Sequence, residues 1–316
     1  IQPVLNTDIF FNKKIKKNLV EIEKTDLYTY KHELVAEIKK AYFTYLKAEE
    51  YYMLLIETKD LINENIRVNQ KLFENDKVTI DAVYRSESEK SKLEQMITEA
   101  EKNKKLSRVY LNILINQPLE NKIETDRYEN YALKSFNVDD SQNLAVGNRG
   151  ELMKLDHYLN LSNHNIKLNQ FNKLPTVFAI VDYGFQGEEY KFTDENDFVL
   201  ASLVLKWDIF TGFSDLEKKR AAEAEAELTR QNLKEAEITA AADVWNKYYA
   251  YQTAVKKYSF SEAFLKTARQ AYNLALESYN NGLKDIIDLL QAQSDLSSAR
   301  SQLITSKKDL FVSIAE

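Results

Sequence analysis

The sequence predicts a mainly α-helical chain of long antiparallel helices interrupted at mid-chain by one β-hairpin, and three observations carry that prediction. Six glycines and three prolines among 316 residues are too few for a loop-rich fold. Positions 8–75 hold neither residue, although a glycine inside a helix costs about 1 kcal/mol and a proline about 3. Finally, two runs of alternating residues, Thr176–Phe185 and Phe198–Trp207, flank the polar loop Gln186–Asp197 and have the length of strands rather than helices.

The first long helix is expected from Asp8. Its apolar residues Ile38, Ala41, Tyr45, Ala48, Tyr52 and Leu55 recur at threes and fours, the seam of helices packed along their length. The seam is expected to continue through Ile62, Ile66 and Phe73. At 1.5 Å per residue such a helix would extend on the order of 100 Å, wider than a compact core. Asn75–Thr79 then reads as a tight turn, followed by a helix from about Ile80 to Asn116 that turns Val83, Leu93, Ile97, Ala100, Leu111 and Leu114 inward. Gln117-Pro118 stops it. The stretch 118–147 lacks a sustained period and is expected to be irregular with short elements, and helix resumes over 148–173.

After the hairpin, another long helix is expected from Phe213. Its seam Val244, Tyr248, Tyr251, Val255 and Tyr258 repeats the first one 203 residues on. Asn280-Asn281-Gly282 ends it. In the last helix Leu289, Leu296, Leu303 and Leu310 lie seven apart, and the companion positions Ala292, Ala299, Ser306 and Ser313 are small enough to let several helices approach closely. The turn Phe73–Asp81 resembles Tyr279–Asp288 with one residue fewer, and Gln2–Thr7 precedes its helix as Trp207–Gly212 precedes the other. A duplicated strand, helix, turn and helix is the simplest account.

In the hairpin, Val177, Ala179, Val181, Tyr183 and Phe185 share one face of the first run, as Val199, Ala201, Leu203, Leu205 and Trp207 do in the second. These faces are wholly apolar with aromatics at their ends, as on a lipid-facing wall, and ten residues suffice for a tilted strand to cross the hydrocarbon core. A two-stranded arm over a soluble helical core fits the same alternation. In lipid, unpaired edges cost several kcal/mol per backbone group, so the strands would have to close a barrel with other copies.

Other classes find little support. Cysteine is absent and net charge is −6 with both signs intermixed, which offers no basic stripe for nucleic acid. No apolar run approaches the ~20 residues of a transmembrane helix. His32, His157 and His164 form no ligand spacing, and no catalytic constellation, metal motif or cofactor fingerprint is present. Glu188, Glu189, Asp194, Glu195 and Asp197 in the hairpin loop are explained by solvation, with calcium as the remote alternative. The opening IQPVLNT resembles neither a charged n-region nor an apolar h-region, so any export signal is expected outside the sequence.

Four pieces in order resemble the TolC-like outer membrane efflux proteins: Asn148-Arg-Gly-Glu-Leu152, similar to that family's NRPEL; Leu174-Pro175 opening a strand; Trp207-Asp-Ile-Phe-Thr-Gly212, similar to WPLFDGG; and Tyr279–Leu290, similar to YxxGxxxxLDLLDA. The resemblance implies a homotrimer of the outer membrane of a Gram-negative cell, with its helices extending into the periplasm. Each subunit would give four strands to a shared twelve-stranded barrel and its helices to an α-helical barrel. It would be a non-enzymatic, passive exit duct for small molecules, working with a periplasmic adaptor (membrane fusion) protein and an inner-membrane pump of RND or ABC type, without cofactor or nucleic acid.

On that pattern, 1–7 is the end of a strand, and 8–117 and 213–316 are the two long helical hairpins of the periplasmic tunnel. The equatorial region would be 118–147, with the helix 148–173 after it and the transmembrane hairpin at 174–212. The family's first strand and the helix before it would lie outside the sequence. Tips formed by Asn75, Asp76, Lys77 and Val78 and by Asn281, Gly282, Leu283 and Lys284 would meet the adaptor. Asp288, with Gln291 one turn on where the family has a second aspartate and with Asp81 in the first turn, would form the aperture. Gly282 is equally explained by a left-handed turn and Asp288 by the first turn of a helix. A soluble or periplasmic coiled-coil scaffold or adaptor is the rival function.

Overall fold

The computed structural model describes residues 1–125, 135–187, 192 and 197–316. In chain order its elements are β1 (Gln2–Leu5), α1 (Thr7–Glu74), α2 (Ile80–Leu114), α3 (Val138–Asn148), α4 (Gly150–Phe171), β2 (Thr176–Phe185), β3 (Asp197–Lys206), α5 (Ser214–Asn280) and α6 (Ile286–Ala315). No helix among the described residues is long and apolar enough to cross a membrane. The chain divides into two units, one of residues 1–31 with 139–244 and one of residues 32–138 with 245–316. Glu188, Glu189, Asp194 and Glu195 of the hairpin loop lie outside the described residues.

The first unit contains the sheet, a three-stranded antiparallel layer in the order β1-β2-β3. Its β2–β3 register puts the two apolar faces side by side: Val177 pairs Leu205, Ala179 pairs Leu203, Val181 pairs Ala201 and Tyr183 pairs Val199. On the opposite face the ring of Phe198 lies over Gly184, where a Cβ would come within 3.0 Å of it. The glycine therefore makes room for an aromatic partner across the strands. Strand β1 covers one edge of the hairpin, with a register shift between Pro3 and Leu5. Trp207, expected as the last residue of β3, leaves the ladder because its indole Nε1 donates to the Lys173 carbonyl at 3.0 Å.

Helix α3 begins at Val138, inside a stretch expected to be irregular. None of its residues is fully buried; its partly buried positions Val138, Ser141, Gln142 and Ala145 recur at threes and fours but mix polar with apolar side chains. Arg149 alone separates it from α4 and ion-pairs with Asp243 of α5, while Lys154 pairs with Asp26 of α1 at 2.8 Å. At Gly150 a Cβ would stand 1.9 Å from Thr29 Oγ1. Glycine at this point of the Asn148–Leu152 motif is thus required by the close approach of α4 to α1.

The second unit packs parts of α1 and α5 with α2 and α6. Its largest cluster joins Ala82, Ala268, Tyr272, Ala275, Tyr279, Ile286, Leu289, Leu296 and Ala299, where the alanines allow close helix approach. A second joins Leu55, Ile62, Leu93 and Ala100, and Phe43 stacks on Phe311 with centroids 5.4 Å apart. Along α1 the buried stripe departs from the expected seam. It runs through Leu55, Thr58, Ile62, Asn65 and Asn69, while Ile66 is partly buried and Phe73 is exposed. The seam turns polar near the tip, where an apolar template follows the wrong residues. Helix α2 stops at Asn116, which has φ 54°, as Gln117 N donates to Asn112 O at 2.8 Å and Pro118 forbids continuation.

Candidate functional site: the helix tips

Two turns close the helix pairs of the second unit, and both use the same hydrogen bonds. Asp76 N donates to Phe73 O at 3.0 Å and Lys77 N to Leu72 O at 2.8 Å. At the other turn Gly282 N donates to Tyr279 O at 2.9 Å and Leu283 N to Ser278 O at 2.9 Å. This is the 6→1, 5→2 helix stop with a left-handed residue at its centre, here Asp76 with φ 55° and Gly282 with φ 72°. Thr79 and Asp285 then occupy extended N-cap positions of α2 and α6. From left-handed residue to cap both turns span the same three steps. The sequence comparison that shortened the first turn by one residue is therefore corrected: Ala82, and not Asp81, takes the place of Asp288. The repeat is fixed by the left-handed residue rather than by the acid.

The cap chemistry differs between the two. Asp285 accepts from the Asp288 amide at 3.1 Å, satisfying an orphan donor of α6, whereas Thr79 makes no side-chain cap bond. Asn75 instead donates back to Lys71 O at 2.7 Å. Between the turns lies a cleft of about 900 Å³, lined among others by Leu72, Lys77, Val78, Leu283, Lys284 and Ile286. Asp81 and Asp285 also face it. Arg85 binds Asp81 at 2.8 Å, and its guanidinium pKa is raised by that bond and then by the charges of Asp81 and Asp285. Asp288 and Gln291 are exposed on α6, where Gln291 donates to Asp295 at 2.9 Å. Asp81 thus joins Arg85 and Asp285 at the cleft, whose lining does not include Asp288 or Gln291.

Beneath the cleft is a polar layer that the sequence reading passed over. Asn69 of α1 and Ser86 of α2 are both 0% exposed. Asn69 Nδ2 donates to Ser86 Oγ at 2.7 Å, Ser86 donates to Ala82 O at 3.1 Å, and the Tyr279 hydroxyl of α5 donates to Asn69 Oδ1. One turn further, Asn65 Nδ2 donates to Gln293 Oε1 of α6 at 2.7 Å. Helix α1 is therefore tied to all three neighbours by buried amides, and such groups in an apolar seam fix register. Burial raises the Tyr279 pKa. Asn65 and Asn69, four apart within the seam, were the available signal. The three histidines, by contrast, stay apart from any ligand set, and the described residues contain no metal-holding cluster.

The described elements are a short three-stranded antiparallel sheet and very long helices. The fold matches solved outer-membrane channels at TM-scores of 0.8 and above. The CmeC channel of Campylobacter jejuni matches at 0.86 with 17% identity, over 99% of this chain and 67% of that one. The open state of MtrE from Neisseria gonorrhoeae matches at 0.82 with 17% identity, over 98% and 72%. VceC of Vibrio cholerae matches at 0.80 with 16% identity, over 95% and 72%. A comparison with curated protein sequences gives no match. The outer membrane efflux protein family model matches residues 142–313, more than half of the sequence, and the chain belongs to that family. Its members are transport ducts of the outer membrane and not enzymes, which sets aside the soluble scaffold reading.

Proposed function

We propose that the chain is one subunit of a trimeric, passive exit duct whose strands complete a transmembrane barrel with those of two other copies and whose helices build a periplasmic tunnel. The observation that carries this reading is the sheet: on its apolar face Val181, Val199 and Leu203 are 66%, 69% and 74% exposed, in strands long enough to cross the hydrocarbon core. In water, leaving such a face bare would forfeit about 1.5–3 kcal/mol per side chain. Lipid removes that penalty, and partner strands satisfy the open edge.

The tips are the proposed docking ends for a periplasmic adaptor, with Asn75–Val78 and Asn281–Lys284 presented around the cleft and a pump of the inner membrane supplying the driving force. Asp288, with Gln291 and Asp81, is the proposed aperture set. Three copies of Asp288 brought within about 10 Å of one another around a common axis would repel by about 0.4 kcal/mol per pair in bulk water, and more in a narrow, poorly hydrated mouth. That repulsion favours a wider aperture and cations within it. Single-channel recordings of the full-length protein in planar bilayers test the reading. Asp288→Asn should lower cation preference while preserving the pore, and wild-type protein that inserts without conducting would overturn it.

A further inference from the structure

All three junctions between sheet and helices lie at one end of the sheet. The strands run antiparallel, with Leu5, Val177 and Leu205 in register, so the end of β1, the start of β2 and the end of β3 share an edge. This edge is tightly joined. Thr7 Oγ1 donates to Phe171 O at 3.4 Å, Phe11 stacks on Phe171 at 5.5 Å, and Trp207 is held by Lys173 O. Around it Ile9, Phe10, Leu174, Ile209, Phe210 and Phe213 are exposed, where an apolar band meets the polar headgroup layer.

Lysines predominate on the α1 and α4 side of this edge, although Asp8 and Asp208 stand at it and the chain as a whole is acidic. The second and third turns of α1 carry Lys13, Lys14, Lys16 and Lys17, and Lys167 and Lys173 flank the end of α4; all six are exposed. Among the described residues none of the six forms an ion pair, although Glu21, whose pKa is lowered first by its bond to Lys24, also feels the charge of Lys17. The cations that open α5 behave differently: Lys218, Lys219 and Arg220 are matched by Asp215, Glu223 and Glu217. The α1 and α4 groups also converge. His164 lies between them with its Nδ1 buried and unpartnered, and its pKa is lowered by burial first and then by Lys14 and Lys167. Lys14 stands 4.3 Å over the ring of Phe10. From Phe10 to Lys17 the helix rises about 10 Å, comparable with a headgroup layer plus the reach of a lysine.

We infer that this edge binds anionic phospholipid: Lys13, Lys14, Lys16 and Lys17, with Lys167 and Lys173, grip the phosphates of the leaflet nearest the helices, and the neighbouring aromatics pack on the acyl chains. The inference rests on the outer-membrane reading above and adds a lipid class and a set of residues to it.

The test uses Trp207, at the edge itself, as reporter in full-length protein in which every other tryptophan, Trp245 included, is replaced by Phe. The protein is reconstituted in zwitterionic vesicles doped with either brominated phosphatidylglycerol or brominated phosphatidylcholine. Bromines quench a neighbouring indole, so quenching measures local enrichment. Phosphatidylglycerol should quench more strongly, and salt should weaken the difference. A lysine near an anionic surface contributes about fivefold in affinity, so replacing Lys13, Lys14, Lys16 and Lys17 by Gln should reduce the preference at least tenfold, whereas Arg replacements should keep it. Equal quenching by the two lipids, a preference that survives the Gln variant, or its loss to inorganic phosphate at an ionic strength at which sodium chloride leaves it in place would overturn the inference. Absence of quenching by either lipid would instead sink the outer-membrane reading.

Discussion

Replacing Asn69 by Ala removes the centre of the buried layer under the tips. The amide donates to Ser86 and accepts from Tyr279, and both bonds are shielded from water. Ser86 keeps its bond to Ala82 O, but the Tyr279 hydroxyl is left without an acceptor. Two net hydrogen bonds at about 0.5–1.5 kcal/mol each, with about 1–3 kcal/mol for the orphaned hydroxyl, put the local loss at about 2–6 kcal/mol. Hydrogen exchange is the suitable assay because it reads opening of the tips without unfolding the whole assembly. At a tenfold change per 1.4 kcal/mol, the lower figure corresponds to roughly thirtyfold faster exchange of amides in α1, α2 and α5 beside Asn69. Tyr279→Phe alone should cost less, and adding it to Asn69→Ala should cost almost nothing further, because the orphan is then gone. Unchanged exchange in Asn69→Ala, or fully additive effects of the two substitutions, would refute the reasoning.

Four further outcomes are expected. Gly150→Ala should destabilise the first unit by about 1–3 kcal/mol through its overlap with Thr29, and Thr29→Ala should recover part of that in thermal melts. Gly282→Ala meets no steric neighbour but must hold φ 72°, which costs about 1–2 kcal/mol and should speed exchange at the second turn only. Burial holds the hydroxyls of Tyr45, Tyr51, Tyr258, Tyr272 and Tyr279 above their ordinary pKa of 10.0. Their contribution to stability is therefore complete below pH 10 and is lost as pH rises through the raised values; alkaline titration monitored by circular dichroism should show this, less steeply in Tyr279→Phe. Finally, Lys77→Glu with Lys284→Glu should weaken capture of a periplasmic adaptor while leaving pore conductance in place.

Much of the fold could be read from residues whose physics is local. The scarcity of Gly and Pro forces long helices, and the seven-residue leucine spacing of α6 does bury Leu289, Leu296 and Leu310. Period-two alternation assigned the strand faces correctly, since Val177, Ala179, Val181 and Tyr183 pair with Leu205, Leu203, Ala201 and Val199. The features missed depend on tertiary context. Asn65 and Asn69 are buried because three neighbouring helices supply their partners, and an apolar seam template steps over them to Ile66 and Phe73. Helix α3 is one of the short elements expected in its stretch, but its partly buried stripe Val138, Ser141, Gln142 and Ala145 is half polar and so does not stand out as a seam. At the tips, matching Asp81 with Asp288 compared like charges, whereas the chain reversal is governed by which residue adopts positive φ. Asp76 does so in one turn and Gly282 in the other, two residue types that look unrelated in sequence but share tolerance of that conformation.

The central claim is that the bare sheet face is covered by lipid and that the helices enclose a duct only when copies assemble. Native mass spectrometry of the full-length protein released from detergent micelles, with conductance recorded on the same preparation, tests it most directly. A trimer that forms ion-conducting pores is the result expected. A water-soluble monomer that neither binds detergent nor conducts would contradict it.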